Sequence, residues 1–214
     1  MREQLTDLRS TRNPKARIKI MEGHFATVNS HINTYIDMST VKCRHNNGRE
    51  TARVLAEHFR NNTMVDTIVC LDGTEVIGAF MAEFLSDRGI MSINSGNNIS
   101  IITPDVNAYG QLVFMDSTIR MIKNMQVLVL AASVTTGRTI AQAAEAVSYY
   151  GGTVGGVAAI FSNVEQTPEE MEIFSIFHKY DLPDYQAYQP SECPMCRRKQ
   201  PLDAIVNSFG YSKL

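Results

Sequence analysis

The chain has 214 residues, of which 44% are hydrophobic and 20% are charged, and its formal net charge is -2. This composition is typical of a globular protein with one large domain, and the near-neutral charge argues against broad attraction to nucleic acid or to membranes. The N-terminal stretch lacks the apolar core of a signal peptide, and no apolar run approaches the roughly 20 residues that span a bilayer, so we expect a cytoplasmic protein.

Short apolar runs alternate with helical patterns along the middle of the chain. Apolar residues three and four apart, as at Val54, Leu55 and Phe59, predict helices, whereas short continuous apolar runs are typical of buried parallel strands. This alternation predicts a doubly wound α/β sheet, whose ligands bind beyond the carboxyl ends of the strands. In chain order the predicted elements are a helix over 48–61, a strand over 65–71, a helix over 75–89, a strand over 98–102, a helix over 116–124, a strand over 126–131, a helix over 139–150 and a strand over 153–161.

The loop SVTTGRT over 133–139 joins a predicted strand to the start of a predicted helix. Backbone N–H groups in the first turn of a helix have no intrahelical partners, and the helix dipole favours negative charge there. Gly137 allows the backbone to approach a ligand closely, and Thr135, Thr136 and Thr139 add hydroxyl donors, so the loop predicts a phosphate site. The alternative is a plain N-cap, in which a threonine side chain satisfies the helix end by itself. A second polar loop, after the strand over 65–71, consists of Asp72, Gly73, Thr74 and Glu75.

Two of the four cysteines are close together in the sequence. Cys193 and Cys196 form the motif C-P-M-C, which is half of a zinc ribbon, but Cys43 and Cys70 do not supply a second pair at similar spacing. Cys70 lies in an apolar run and is expected to be a buried thiol. We therefore expect the motif to be a turn with two reduced thiols, and we expect no metal site within one chain.

The 13 residues VLVLAASVTTGRT over 127–139 resemble the phosphoribosyl-diphosphate signature of the type I phosphoribosyltransferases. Residues 127–130 fit its four apolar positions and residues 133–139 fit its small, hydroxyl-rich segment, whereas Ala131 and Ala132 stand where the family carries an acidic pair. Three further segments are similar to parts of orotate phosphoribosyltransferases, namely EGHFATVNSHINTYID over 22–37 (the hood), VDTIVCLDGTEVIGAFMAEFL over 65–85 (first strand, diphosphate loop and helix) and YQAYQPSECPMCRRKQPLD over 185–203 (a C-P-x-C tail).

This resemblance implies one α/β domain over 1–214, with a parallel sheet flanked by helices, a small hood over about 1–45, a core over about 46–180 and a tail over about 181–214. It also implies a homodimer of pyrimidine nucleotide metabolism, with a small-molecule phosphate or nucleotide ligand and with magnesium only if the chain is an active transferase. The positions that it assigns are Ser133, Val134, Thr135, Thr136, Gly137, Arg138 and Thr139 for phosphate, Ala131 and Ala132 for the degenerate ribose site, and Asp72, Gly73, Thr74 and Glu75 for the diphosphate loop.

Several charges that the family uses in catalysis are missing from this sequence. The family's acidic pair accepts hydrogen bonds from the ribose hydroxyls, and a bond to a charged group contributes roughly 1.5–3 kcal/mol. The family also has a mobile loop with Lys and Arg, whereas residues 89–119 contain no basic residue although the chain holds 20. Glu75 and Val28 stand where many orotate enzymes carry lysine. Because charge stabilisation is usually the largest catalytic contribution, we expect weak or absent transfer.

Three functions stay open at this point. The chain binds a nucleotide or phosphorylated sugar and catalyses poorly, or it is an active transferase with rearranged charges, or it is a regulatory or interaction protein on the same fold. His24, His31 and Tyr35 are expected near the base pocket but identify no base. The nearest basic residues that could replace lost charge, within the chain or across a dimer, are Arg44, Arg49, Arg53 and Arg138.

Overall fold

The computed structural model of the chain describes residues 5–28, 30–89, 91–182, 184–207 and 209–214. Every helix in these ranges is too short or too polar for a bilayer crossing. The strands are β1 Thr6–Arg9, β2 Arg17–Ala26, β3 His31–Asp37, β4 Thr67–Cys70, β5 Ser100–Ile102, β6 Asp105–Val106, β7 Leu112–Val113, β8 Gln126–Val134, β9 Thr153–Ser162, β10 Phe174–His178, β11 Ala187–Tyr188, β12 Ala204–Asn207 and β13 Gly210–Lys213. The helices are α1 Ser39–Cys43, α2 His45–Phe59, α3 Glu75–Ser86, α4 Asp116–Ile119, α5 Arg138–Tyr149 and α6 Pro194–Arg197.

Five parallel strands form the central sheet, in the order β10-β9-β8-β4-β5. Helices α2 and α3 contribute to the apolar cluster on one face, and α5 contributes to the cluster on the other. Strand β4 is buried at every position, as expected for a strand covered on both faces. The α/β class and the four predicted strands are confirmed.

Two of the differences from the sequence prediction concern β10 and α4, and the hairpin of β6 and β7 was also not predicted. Strand β10, which extends the central sheet at one edge, follows a polar stretch and was not predicted. The predicted helix over 116–124 is wrong in extent, because α4 ends at Ile119 and the chain continues in tight turns. The hydroxyl of Thr67 donates a hydrogen bond to the carbonyl of Met121 within these turns, and Ile122 is buried. These contacts attach the turns to the central sheet.

The second sheet, which we call the hood sheet, combines both ends of the chain. Its strands follow the order β11-β3-β2-β12-β13, and β1 also pairs with β2. Strand β12 from the tail runs parallel to β2, and β11 runs antiparallel to β3. The N–H of His24 donates to the Asp203 carboxylate at 2.8 Å, and the N–H of Asp203 donates to the His24 carbonyl at 2.8 Å. The tail is thus a structural part of the hood.

Helix α3 packs closely on strand β4 through Gly78. A Cβ atom at this position would lie 2.6 Å from Cys70 Sγ, while Ile68 and Ile101 would remain at ordinary contact distances of 3.6 and 3.5 Å. Cys70 is fully buried, as the sequence predicted, so its sulfur has little room to move. This contact sets the position of the helix that follows the loop of residues 72–75.

Replacing Gly78 by Ala should lower the free energy of unfolding by about 1–3 kcal/mol through overpacking, although alanine is the better helix former by ~1 kcal/mol. In a Cys70→Ala background the same replacement should be neutral or stabilising, because the obstructing sulfur is absent. Urea denaturation of the parent, both single variants and the double variant measures the coupling. Additive effects of the two substitutions would show that the contact with Cys70 does not limit the approach of the helix.

Candidate functional site

A cavity of about 360 Å³ lies where the carboxyl ends of the central strands meet the hood sheet. This volume is in the range of small-ligand sites, roughly 300–1,000 Å³. The position agrees with the rule that ligands of parallel sheets bind beyond the carboxyl ends of the strands. The described residues that line it are Thr27, Val28, Ser30, Ile32, Tyr35, Ile36, Asp72, Ala131, Ser133, Val134, Thr135, Thr136, Gly137, Arg138, Thr139, Ile140, Phe161, Tyr185, Val206 and Asn207.

All seven residues of the loop 133–139 line this cavity. Gly137 is the N-cap of α5 and has a left-handed backbone with φ of 78°. No side chain among the described residues forms a cap hydrogen bond at this helix end, so the alternative of a threonine N-cap is not what the structure contains. The N–H groups of the first turn are therefore available for an anion, and the helix dipole adds to their attraction.

The structure shows a further reason for a glycine at position 137, besides the close approach to a ligand that the sequence predicts. A Cβ atom here would lie 3.1 Å from Thr167 Cα and 3.2 Å from Pro168 Cδ. The close approach is therefore to the neighbouring loop, in addition to the left-handed backbone. Asn163 holds this neighbouring loop in place, because its N–H donates to the Val134 carbonyl at 2.8 Å. The glycine allows two protein segments to pack together beside the predicted phosphate site.

The two alanines at the degenerate ribose positions lie in different surroundings. Both are buried, with exposed fractions of 2% for Ala131 and 1% for Ala132. Ala131 lines the cavity, whereas Ala132 belongs to the apolar cluster that includes hood residues such as Phe25 and Tyr35. Adjacent residues of a strand point to opposite faces, which accounts for the difference. Neither position presents a hydrogen-bond acceptor on its side chain.

Among the four diphosphate-loop positions, Asp72 alone appears in the lining of the cavity. Thr74 is fully buried, and its hydroxyl lies 2.8 Å from the Leu71 carbonyl and 3.2 Å from the Leu130 carbonyl. The carboxylate of Glu75 accepts a hydrogen bond from the Thr103 hydroxyl at 2.9 Å. Thr74 therefore ties the loop to the two central strands.

The cavity contains few charged side chains. Among its described lining residues, Asp72 is the one acid and Arg138 is the one base. Burial raises the pKa of the Asp72 carboxyl, while the Lys42 ammonium and the backbone N–H of Ala132 partly offset this shift. Lys42 also donates from Nζ to the backbone carbonyl of Asp72 at 2.9 Å. The raised pKa means that Asp72 gains a proton at a higher pH than an exposed aspartate does.

The other arginines considered from the sequence are not part of the cavity lining. The guanidinium groups of Arg49 and Arg53 lie over the ring of Phe84, at 4.8 and 4.6 Å from its centroid. Arg49 also contacts the Glu83 carboxylate at 3.3 Å. These contacts join α2 to α3. Arg44, the N-cap residue of α2, is exposed.

Aromatic side chains form part of the cavity wall. Tyr35 lies there as expected, together with Phe161 and Tyr185, whose rings are 5.4 Å apart. Burial raises the pKa of Tyr35 to about 12, with smaller contributions from Asp37 and Tyr211, and burial raises the pKa of Tyr185 to about 12. The tyrosines are therefore neutral hydrogen-bond donors at physiological pH. The sequence did not identify Phe161 and Tyr185 as site residues, because Phe161 lies in β9 and Tyr185 follows β10, both outside the signature of residues 127–139.

His24 and His31, which were expected near the base pocket, do not line the cavity themselves, although Ser30 and Ile32 on either side of His31 do. They lie beside Cys193 and Cys196, and one nitrogen or sulfur atom from each of the four residues is within 4.8 Å of every other. The expectation of a simple turn with two thiols assumed that only two ligands come together in one chain. That assumption is wrong, because the hood strands bring two histidines to the pair.

No protein-family model matches the chain. Curated proteins do match it, and the orotate phosphoribosyltransferase of Chlorobaculum parvum is 24% identical over 194 residues, covering 86% of this chain and 88% of that protein. Among solved structures, the UMP synthase of Leishmania donovani aligns with a TM-score of 0.56 at 17% identity, covering 76% of this chain and 34% of that longer one. The orotate phosphoribosyltransferase of Mycobacterium tuberculosis in complex with 5-phospho-alpha-D-ribosyl 1-diphosphate aligns with a TM-score of 0.51 at 18% identity, covering 69% and 82%.

The raised pKa of Asp72 generates a prediction about anion affinity. Sulfate keeps its double negative charge across the mildly acidic to neutral range, so its affinity should rise as the pH falls through the pKa of Asp72, since protonation removes a negative charge from the cavity. Asp72→Asn should bind sulfate with much less dependence on pH. Isothermal titration calorimetry with sulfate, at several pH values and constant ionic strength, measures the affinity of the parent and of Asp72→Asn.

The matched control for this prediction is Glu75→Gln, which removes a carboxylate that is bonded to Thr103 and does not line the cavity. This variant should keep the pH dependence of the parent. An Asp72→Asn protein with the same pH dependence as the parent would show that another group controls the anion affinity.

Proposed function

We propose that this chain, a distant relative of the orotate phosphoribosyltransferases with the type I phosphoribosyltransferase fold, binds a ligand with a 5'-phosphate at residues 133–139 and has weak or absent transferase activity. The ligand is a nucleotide or phosphoribosyl diphosphate. The observation that carries the proposal is the composition of one cavity, which keeps the whole phosphate loop and has alanine in place of the acidic pair. The protein is proposed to act in the cytoplasm as a homodimer, without nucleic-acid partners.

The phosphate half of the site is supported by its backbone. Helix α5 has 12 residues and begins directly after Gly137, so its first-turn N–H groups and its dipole act on the same point of the cavity. The hydroxyls of Thr135, Thr136 and Thr139 add donors around that point. The M. tuberculosis relative was solved in complex with inorganic phosphate and with 5-phospho-alpha-D-ribosyl 1-diphosphate, which is consistent with this assignment.

The aromatic and apolar residues of the cavity lining suit the base of a nucleotide. Tyr35, Phe161 and Tyr185 provide aromatic surface, and Ile32 and Val206 add apolar contacts. A planar base gains from contact with aromatic rings whatever its hydrogen-bonding edge, so this wall favours a nucleotide over a phosphorylated sugar alone. We propose that the base contacts these side chains while the phosphate group binds at residues 133–139.

Transfer of the phosphoribosyl group is disfavoured because the groups that would stabilise its transition state are missing. Ala131 and Ala132 offer no acceptors to ribose hydroxyls, and each hydrogen bond to a charged group contributes roughly 1.5–3 kcal/mol. The hairpin of β6 and β7 lies within residues 89–119, which contain no Lys or Arg, and it carries Asp105. Loss of one well-placed donor costs on the order of 10²–10³ in rate, so several losses should leave little turnover.

The residues of the cavity do not fit a magnesium ion. Magnesium requires several oxygen ligands, usually including carboxylates, in near-octahedral geometry. Asp72 is the one carboxylate among the described lining residues, and burial raises its pKa. We therefore assign no step to magnesium and propose that the phosphate group binds through backbone N–H groups without it.

The phosphate loop is tested by replacing Gly137 with Ala. A Cβ atom at this left-handed position would lie 3.1 Å from Thr167 Cα and 3.2 Å from Pro168 Cδ, so one of the two loops must move by a few tenths of an ångström. Titration with uridine monophosphate should show affinity reduced by about tenfold or more, equivalent to roughly 1.4 kcal/mol. Arg138→Ala should lose less than this, because its backbone N–H stays in place.

The matched control is Gly151→Ala at the other end of the same helix. Gly151 has φ of 81°, close to the 78° of Gly137, and its Cβ atom would meet only Lys123 Cγ, at 3.6 Å. Both glycine variants should lose about 1–2 kcal/mol of stability from the left-handed backbone, but only Gly137→Ala should lose affinity. Equal affinity of the two variants for the nucleotide would show that the phosphate group does not bind at residues 133–139.

The transferase activity is tested with orotate and phosphoribosyl diphosphate in the presence of magnesium. Formation of orotidine monophosphate should be very slow or undetectable, because neither the acidic pair nor the basic loop is present. Turnover on the usual enzyme scale of roughly 1–10³ s⁻¹ would instead identify an active transferase. In that case the missing charges must come from a partner chain, and mixing active and inactive variants would reveal a shared site.

A further inference from the structure

Four metal-ligating side chains converge at the junction of the hood and the tail. His24 lies in β2, and His31 is the first residue of β3. The two cysteines belong to the tail, where Cys193 is the N-cap of α6 and Cys196 lies within this helix. His24 and Cys193 are fully buried, and Cys196 is exposed. These residues are outside the lining of the proposed nucleotide cavity, so this site is independent of the proposed function.

Four of the six separations between the ligand atoms match a tetrahedral zinc site, and all six are within 4.8 Å. With Zn–S bonds of about 2.3 Å and Zn–N bonds of about 2.0–2.1 Å, a tetrahedron places sulfur about 3.5 Å from nitrogen and the two nitrogens about 3.3 Å apart. The observed distances from Cys193 Sγ and Cys196 Sγ to His24 Nε2 are 3.5 and 3.6 Å. Cys196 Sγ is 3.2 Å from His31 Nδ1, and the two histidine nitrogens are 3.1 Å apart.

The tautomer of the neutral His24 ring is set by its other ring nitrogen. Nδ1 lies 3.0 Å from the Gln200 carbonyl and 3.2 Å from the Pro201 carbonyl. A carbonyl oxygen only accepts hydrogen bonds, so Nδ1 carries the proton and Nε2 keeps its lone pair. Nε2 is the atom that faces the two sulfurs and His31. Such a backbone carbonyl on the distal nitrogen is the usual support of a metal-bound histidine.

The backbone around the two cysteines forms a compact turn. Cys193 is the N-cap of α6, Pro194 follows it, and the N–H of Arg197 donates to the Cys193 carbonyl at 3.1 Å. The N–H of Lys199 donates to the Cys196 carbonyl at 2.9 Å, and Lys199 has a left-handed backbone with φ of 58°. This turn holds the two sulfurs on one side, at the C-x-x-C spacing found in structural zinc sites.

We propose that His24, His31, Cys193 and Cys196 bind one zinc ion, which fastens the tail to the hood. The protein supplies all four ligands, so the site is closed and its role is structural. Two thiolates neutralise the charge of Zn²⁺, and two nitrogens with two sulfurs are a ligand set that suits this metal. The ion joins the turn that precedes β12 to strands β2 and β3. Val206 and Asn207 of β12 line the cavity.

The first test is the zinc content of the intact chain, purified with no added chelator. Elemental analysis should give about one zinc per chain, and Cys196→Ser should lose most of it. Cys43→Ser is the matched control, since Cys43 is also an exposed thiol but lies in α1, outside the cluster. Retention of full zinc by Cys196→Ser, or an absence of zinc from the parent, would overturn the proposal.

The second test needs no variant and so does not depend on folding of the altered chains. The parent, stripped of metal under reducing conditions, is titrated with Co²⁺, whose visible absorption reports tetrahedral coordination and whose near-ultraviolet band reports thiolate ligands. Saturation at one Co²⁺ per chain with both features is expected, followed by displacement with one Zn²⁺. A spectrum of six-coordinate cobalt, or a Cys193–Cys196 disulfide in protein kept reduced with zinc present, would contradict the site.

The structural role has its own readout in the tail. A zinc chelator should lower the melting temperature of the parent and of Cys43→Ser, and should increase proteolysis within residues 187–213. It should leave Cys196→Ser, which has already lost the ion, nearly unchanged. A melting temperature of the parent that does not respond to complete removal of zinc would show that the ion does not fasten the tail.

Discussion

The pairing of β4 with β8 is the constraint on which the candidate site depends. The strands run parallel with Cys70 opposite Leu130, so both end at the same edge of the sheet. Beyond that point the N–H of Leu71 donates to the Leu130 carbonyl at 2.8 Å, and the Thr74 hydroxyl approaches the same carbonyl. These contacts hold the loop of residues 72–75 against the strand that leads to residues 133–139. Two loops far apart in sequence therefore open into one cavity.

The central sheet and the phosphate loop could be predicted from the sequence because each depends on neighbouring residues. Continuous apolar runs identify buried strands, and strand, loop and helix follow one another directly around residues 127–139. The aromatic wall could not be predicted, because Phe161 and Tyr185 reach the cavity only through the strand order. The contact of Gly137 with Thr167 and Pro168 could not be predicted either, since those residues belong to a loop that is separate in sequence.

The histidine and cysteine cluster shows the same limit more clearly. Cys193 and His24 are 169 residues apart in sequence, and Cys196 and His31 are 165 apart. Spacing rules for zinc motifs examine ligands that are close in sequence, so they register the cysteines and overlook the histidines. The pairing of β11 with β3 and of β12 with β2 brings them together. Only the tertiary structure of the hood sheet makes the ligand set complete.

The tail has little apolar surface with which to hold itself in place. Leu182 and Tyr185 are buried at the start of the tail. Among the described residues after Tyr185, the buried apolar ones are Cys193, Met195, Ala204 and Val206, whereas Ile205, Phe209 and Leu214 are exposed. A pair of four-residue strands is at most marginally stable alone, and small segments with a limited core are commonly fastened by a metal. The four ligands meet where the tail joins the hood, which is where such an attachment has the greatest effect. Because Val206 and Asn207 of the same tail line the cavity, the order of the tail also determines the shape of one wall of the proposed nucleotide site.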